Sequence, residues 1–355
     1  MVLGADDTVA RRPGRKINAN GCEREAVRST KKHVSRCFGR QGVAMRLLVP
    51  GPWRRRVWAL PWLSAVCRPA EQARRRRHKT RVAGVRQMRN QARRWLPGRR
   101  LVVVGAGGVA AIALALAWVT PPVVRVARLR WEAARSHPPA PRPPGKPGPK
   151  PPTGKRQRCW QGWAARSDTP GERVEVEWYG GQPNTLWVVS RTALWYTPSL
   201  PPGALRVVSV CDPAGKLRLA AFFGTDVQAT PVQIVHWVGR RWAVEVTCEE
   251  GRAHLGLETQ RQWSDLALAR ATPVRLAWCS LVTVLALQLS QGGPIPVAAT
   301  AWYHQEEPPF SDGLALVRQP LGRAGYVVNS APEAEIMQCP REALDLLIQG
   351  VPFAA

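Results

Sequence analysis

Alternating apolar and polar segments predict strands and one helix in the first third of the chain. Short apolar runs bounded by glycine or proline predict strands. Runs of this kind are residues 1–8, 42–52, 101–106 and 121–131. Residues 70–96 place Val82, Val85 and Met88 among many arginines, which predicts an amphipathic basic helix. Residues 11–40 are basic and are expected to form loops, and residues 54–67 fit either a strand or a helix.

The pattern changes again after residue 136. Residues 137–158, "HPPAPRPPGKPGPKPPTGKRQR", form a basic proline-rich segment that should be extended and mark a boundary. Residues 159–224 alternate like strands, with a hairpin expected around Asp212-Pro213-Ala214-Gly215. Helical periodicity then predicts one long helix to Gly256 and another that begins near Thr272-Pro273.

These transitions predict four regions and an α/β fold. We expect residues 1–136 to form the first part of a core and residues 137–228 to form the basic loop and a β-rich insertion. Residues 229–290 would complete the core with helices, and residues 291–355 would form a C-terminal tail region.

The segment "LVVVGAGGVAAIALALAWVT", residues 101–120, fits three interpretations. A membrane span is interrupted by Gly105, Gly107 and Gly108. A dinucleotide-binding turn would need an acidic residue after a second strand, and Glu132, at about that distance, follows an arginine-rich strand instead. A central strand followed by a short buried helix fits both halves of the segment, so we predict that arrangement.

The charge balance indicates a polyanionic partner. The chain has 52 Lys and Arg against 24 Asp and Glu, a formal net charge of +28. Such a charge opposes compaction unless a polyanion offsets it, so nucleic acid is the first expectation and a membrane surface the second. The 8 cysteines lie far apart with no C-x-x-C pair, which favours reduced thiols over a disulfide framework or a zinc site.

One helical face combines acidic and basic residues. Arg241, Glu245, Glu249 and Arg252 follow one another at spacings of four, four and three, so they would share a face. A solvated, salt-bridged face would have this pattern, but neighbouring Trp237 indicates partial burial. A carboxylate flanked by arginines also suits a divalent metal beside a phosphate backbone.

Several segments together resemble a known family. The spacing Arg241-x3-Glu245-x6-Arg252 resembles the Tyr-Arg-Glu-Lys signature of DDE-type insertion-sequence transposases, with Val238 at the Tyr position and Arg252 at the Lys position. The segments "RAHLGLETQRQWSDLALARATP", "GADDTVARRPGRKI", "PPGKPGPKPP", "WYGGQPNTLWVVSRTALWYTPSLPP", "DPAGKLRLAAFFGTDVQATPVQIV" and "AWYHQEEPPFSD" are similar to the same family. The resemblance covers nearly the whole chain.

This resemblance implies an RNase H-like mixed-sheet core, a β-rich insertion and C-terminal helices. It also implies three carboxylates around Mg²⁺ or Mn²⁺, with Asp6 from the first strand and Glu245 from the helix as metal ligands and catalytic residues. Asp7 would point to the other side of the strand. The second carboxylate is expected at the tip of strand 101–106, where Ala106 stands, and neither Asp212 nor Asp226 is placed to substitute.

The resemblance leaves two functions open. The chain could be a transposase, impaired by Ala106, that cleaves and joins DNA at transposon ends, or a relic that binds DNA without catalysis. Either would bind double-stranded DNA, with Arg241 and Arg252 on phosphates, as a homodimer in the cytoplasm at the nucleoid. The abrupt first strand leads us to expect that N-terminal sequence is missing.

Further DNA contacts are expected from arginines and tryptophans. Arginine runs at 53–56 and 73–77 are candidate phosphate contacts. Tryptophans of the β insertion could stack on a displaced base or pack a sheet face. They are Trp160, Trp163, Trp178, Trp187 and Trp195.

Overall fold

Strands from both halves of the chain join in one mixed sheet. A computed structural model describes residues 1–11, 17, 20–25, 28–29, 33–67, 80–105, 123–131, 133–141, 148–149, 151–157, 162, 169–178, 182–196, 201–215, 219–259, 264–297 and 306–328. The strands are β1 (Val2–Arg11), β2 (Asn20–Arg24), β3 (Arg36–Pro50), β4 (Val57–Val66), β5 (Leu101–Gly105), β6 (Val123–Arg128), β7 (Glu172–Trp178), β8 (Gln182–Trp195), β9 (Gly203–Cys211) and β10 (Ala220–Gly224). The helices are α1 (Arg81–Trp95), α2 (Pro231–Arg240), α3 (Trp242–His254), α4 (Asp265–Leu289) and α5 (Phe310–Val328).

The strand order confirms the predicted RNase H-like arrangement. β3 is antiparallel to both β1 and β4, whereas β1, β5 and β6 run parallel to one another. The order across the sheet is β2-β3-β1-β5-β6-β10-β9-β8-β7, with β4 also paired to β3. The predicted β-rich insertion is therefore present, and its strands continue the main sheet beyond β6.

Two apolar layers cover the two faces of the central strands. Val2, Val102 and Val104 pack against α2 and α3 on one face. Leu3, Ala5 and Val103 face the other layer, which α1 covers with Val85, Met88 and Ala92. Successive strand residues point to opposite faces. Only the side chains of β1 on the face covered by α2 and α3 can therefore contact α3.

Several predicted boundaries were wrong. The stretch 11–40 was expected to be loops, yet β2 and the beginning of β3 lie within it because their backbones pair in an antiparallel register. Residues 57–66 of the ambiguous stretch form β4, which pairs with β3. The basic helix begins only at Arg81, because the Thr80 hydroxyl accepts from Ala83 N and caps it there. The predicted buried helix after β5, and Ala106 with it, lies outside the described residues.

The helices after the insertion also differ from the prediction. The single long helix is divided at Arg241, where the amides of Arg241 and Val244 each bond to the carbonyl three residues earlier. The second helix begins at Asp265 rather than near Pro273, because Ser264 accepts from Ala267 N and provides an earlier cap. Pro273 lies inside α4. The C-terminal tail region contains α5, which packs against α4 through Phe310, Leu314 and Val317.

Among the described residues, one helix is long and apolar enough to cross a membrane by length and composition, namely Leu266–Leu289 within α4. It packs against β4 and α5. Residues 101–105, where a membrane span was considered, form a fully buried strand between β1 and β6.

Candidate active site

Asp6 and Glu245 lie on either side of one arginine side chain. Arg241 Nη2 donates to Glu245 Oε1 at 2.8 Å, and Arg241 Nη1 lies 3.8 Å from Asp6 Oδ2. The Asp6 and Arg241 side chains are 18% and 19% exposed, and that of Glu245 is 39% exposed. The structure therefore places the two predicted acidic residues and one predicted basic residue in one partly buried cluster.

Close packing between β1 and α3 determines where Glu245 lies. Gly4 is two residues before Asp6 on the same face, and a Cβ at Gly4 would lie 2.6 Å from Val244 Cγ2. Glycine thus permits the first turn of α3 to contact the strand directly. One turn further on, the Thr247 hydroxyl lies 2.9 Å from the carbonyl oxygen of Ala59 and ties α3 to β4.

Burial dominates the electrostatics of Asp6. It raises the pKa of this carboxyl above its ordinary value, because the charged form loses water. Arg241 opposes this increase, Asp7 adds to it, and Arg46 again opposes it. The Asp7 backbone amide donates to Asp6 Oδ1 at 2.9 Å, which also favours the ionised carboxylate.

Asp7 points away from this cluster, as the alternation of β1 predicts. Its Oδ2 pairs with Arg81 Nη1 at 2.9 Å and accepts from Gln41 Nε2 at 3.1 Å. Both contacts lie on the α1 side of the sheet. Asp7 therefore links β1 to α1 and β3 on that face and does not contribute to the Glu245 site.

The predicted acidic and basic face of the helix is only partly assembled. Arg252 Nε pairs with Glu258 Oε2 at 2.9 Å instead of turning toward Glu245, and its side chain is 49% exposed. Glu249 is exposed to solvent. Of the four residues at helical spacing, Arg241 and Glu245 are thus the two in mutual contact.

A third carboxylate is not found among the described residues. Gly105 pairs with Ala5 in the parallel register, so the last described residue of β5 is aligned with the residue before Asp6. Asp226 pairs with Arg100, just before β5 begins, and Asp212 accepts from Ala214 N within its own turn. The described part of the chain contains no group of three or more His, Cys, Asp or Glu side chains suited to a metal ion.

Sequence reasoning missed Arg46, a basic residue beside the cluster. It lies on β3 opposite Gly4, has 0% exposure, and its Nη2 donates to Cys248 Sγ at 2.9 Å. The available signal was a single arginine inside the apolar run "GVAMRLLV". A charged residue in such a run costs free energy unless it is compensated, so it warranted attention.

The tryptophans and arginine runs are only partly described. Trp195 is 5% exposed and packs edge-to-face on Phe223 with ring centroids 5.6 Å apart, which favours a role in the core over base stacking. Trp187 lies against Gly171, where an added Cβ would be 2.7 Å from its ring. Arg54 of the first run pairs with Glu307 at 3.2 Å. The second run and Trp160 and Trp163 lie outside the described residues, and so does the side chain of Trp178.

Comparison with known proteins gives structural resemblance without a sequence match. No protein family model and no curated protein matches the sequence. Among solved structures, the chain is similar to a piggyBac transposase in a synaptic complex with hairpin DNA, with a TM-score of 0.42 and 10% identity. The match covers 99% of this chain and 57% of that chain, so the protein spans little more than half the length of its structural neighbour.

Proposed function

We propose that this chain is a transposase-like DNA-binding protein whose metal-dependent cleavage and strand-transfer activity is impaired. The observation that carries the proposal is the convergence of Asp6 and Glu245 on Arg241. The motif resemblance described above supports the same assignment. The net charge of +28 suits binding to double-stranded DNA.

The donor set fits one divalent cation. Asp6 and Glu245 are partly buried carboxylates on a strand and a helix, and oxygen donors of this kind suit Mg²⁺ or Mn²⁺. When bound, the ion would supply Lewis-acid stabilisation of charge on a phosphoryl oxygen. Asp6 would need to be ionised to hold it, and Arg241 would then be released to hold a phosphate.

The residue at position 106 limits the expected rate. In-line phosphoryl transfer uses two ions about 3.5–4 Å apart, and acidic ligands must hold both. Ala106 stands where the resemblance expects a carboxylate. We therefore expect the rate of phosphoryl transfer to be lower by about a thousandfold or more, since each 1.4 kcal/mol of lost transition-state stabilisation is about tenfold in rate. We therefore propose slow catalysis at best.

Arg241 and Arg252 are the proposed phosphate contacts beside the acidic cluster. Guanidinium groups pair with phosphate oxygens in a bidentate manner. We also propose that the chain binds double-stranded DNA as a homodimer, in the cytoplasm and close to the nucleoid.

A nicking assay tests the proposal. The purified chain is incubated with Mg²⁺ or Mn²⁺ and a supercoiled plasmid that carries the DNA ends flanking its coding segment. We expect little nicking by the natural sequence and measurable nicking by Ala106→Asp. The matched control is Ala106→Asp combined with Asp6→Asn, which should again be inactive. Robust nicking by the natural sequence would contradict the proposed impairment.

The second candidate is a relic that binds DNA without catalysis, and Ala106 is the observation that favours it. It predicts that Ala106→Asp remains inactive although DNA binding persists. Retention of the plasmid in a gel-shift experiment, together with absent nicking in every variant, would establish this alternative.

A further inference from the structure

A cavity of about 450 Å³ opens beside the acidic cluster, on the same face of the sheet. Its walls come from β1, β3, β4, α4 and the segment that follows α3. Thr8 lines it and follows Asp6 by two residues, a separation of about 6–7 Å along the same face of β1. The volume is within the range of small-molecule sites in proteins, about 300–1,000 Å³.

Two arginines contribute positive charge to this cavity. Arg46 lines it with 0% exposure, and its Nε and Nη1 have no hydrogen-bond acceptor among the described residues. Arg40 is 7% exposed and donates through Nη2 to Thr272 Oγ1 at 3.0 Å, which fixes its guanidinium against α4. Burying a cation without full compensation is expensive. An anion in the cavity would compensate Arg46, and Arg40 lines the same space.

The remaining walls indicate what the anion is attached to. Thr8, Ser64 and Thr272 offer hydroxyl groups, whereas Leu257 and Leu276 form an apolar side. Glu258 is the acidic residue of the lining, and its carboxylate is paired with Arg252 at 2.9 Å. The carboxylate of Glu258 is therefore already paired and does not neutralise the two arginines of the lining. A phosphate with an organic group attached matches this combination.

We propose that this cavity binds a nucleoside phosphate, with Arg46 and Arg40 holding the phosphate and the apolar side covering the nucleoside. Two sources share this chemistry, a nucleotide of a DNA strand and a free nucleotide. The DNA source rests on the proposed function, whereas the anion site itself does not. The cavity would place a phosphate beside the Asp6 cluster rather than within it.

The test uses titration calorimetry of the full chain in EDTA, so that no metal at Asp6 contributes. The probes are a deoxynucleoside 5′-monophosphate, inorganic phosphate, and one oligonucleotide with and without a 5′-phosphate. Arg46→Met removes the buried charge at similar volume. Ala269→Trp narrows the cavity from an exposed position on α4 and keeps both arginines. Arg94→Met removes one exposed charge from α1, on the opposite face of the sheet, and is the matched control.

We expect the monophosphate to bind the natural chain and inorganic phosphate to bind more weakly. Arg46→Met should weaken binding about tenfold or more, as expected for the loss of a hydrogen bond to a charged group. Ala269→Trp should also weaken binding. Arg94→Met should leave the affinity within about twofold of that of the natural chain, because an exposed charge is screened by solvent. A preference for the phosphorylated oligonucleotide over the free nucleotide identifies DNA as the source, and the reverse preference identifies a free nucleotide.

The proposal is overturned if no phosphate probe binds, or if Arg46→Met and Ala269→Trp bind like the natural chain. Thermal melting of both variants shows whether they remain folded, and Ala269→Trp tests the cavity even if Arg46→Met does not fold. Absence of nicking by Ala106→Asp together with intact nucleotide binding would count against the proposed function and leave the anion site standing.

Discussion

Asp6 and Glu245 contact the same guanidinium group, that of Arg241, although the two residues are far apart in the sequence. Arg241 hydrogen-bonds to Glu245 at 2.8 Å and lies 3.8 Å from Asp6. The arginine thus occupies the space between two carboxylates that are the proposed metal ligands. Its positive charge performs part of the neutralisation that a bound cation would provide.

Arg241→Gln should therefore increase the affinity of the cluster for Mn²⁺. The substitution removes a competing cation and leaves both carboxylates in place, so we expect affinity to rise about fivefold, the effect of roughly 1 kcal/mol of removed repulsion. Electron paramagnetic resonance of free Mn²⁺ measures the change. Arg241→Gln combined with Asp6→Asn should lose the gain, and unchanged affinity in Arg241→Gln would count against a metal site between these acids.

The raised pKa of Asp6 should appear in the pH dependence of stability. Because the folded chain holds this proton more tightly than the unfolded chain does, the contribution of Asp6 to stability is fully present below its ordinary pKa of 3.8 and declines as pH rises through the raised value. Asn at position 6 cannot ionise. The free energy of unfolding of Asp6→Asn should therefore rise relative to that of the natural chain as pH increases from about 3.8 upward.

Urea unfolding at a series of pH values measures this difference. Glu249→Gln removes a negative charge from an exposed position of the same helix and controls for net charge. A free-energy difference between Asp6→Asn and the natural chain that is constant with pH would contradict the assignment of the shift to burial.

The contact between Gly4 and Val244 should be sensitive to a single methyl group. Gly4→Ala places a Cβ 2.6 Å from Val244 Cγ2, so α3 must move outward or β1 must bend. Overpacking of this kind costs about 1–3 kcal/mol. Val244→Ala creates the matching space, and the double variant should recover much of the loss in the free energy of unfolding. Additive effects of the two substitutions in a double-mutant cycle would show that the contact does not determine the spacing of β1 and α3.

The family resemblance predicted that Asp6 and Glu245 would lie close together, and the alternation of β1 predicted that Asp7 would face the other side. Asp6 and Asp7 were separated correctly, because neighbouring strand residues must face opposite sides. The strand pairings of β2 and the early part of β3 were missed, because their stability comes from partners distant in sequence rather than from an apolar pattern.

The rest of the site depends on three-dimensional contacts that spacing does not reveal. Arg252 was grouped with Glu245 by helical periodicity, but it pairs with Glu258, just past the end of α3. The role of Gly4 depends on the approach of α3 after a long intervening insertion. Arg46 was visible as a charge in an apolar run, but its position opposite Gly4 required the register of β1 with β3.

The cysteines of the core should differ sharply in reactivity from those at its surface. Burial raises the pKa of Cys67 to about 11 and that of Cys279 to about 12, and it also raises the pKa of Cys248. The thiolate is the reactive form, so these three should react slowly with iodoacetamide near neutral pH. Cys22 is exposed and should react before these three. Mass spectrometry of each labelled peptide measures the individual rates, with labelling in urea as the control that makes all the cysteines accessible. Labelling of Cys279 as fast as that of Cys22 in the folded chain would show that the α3–α4 contact opens readily.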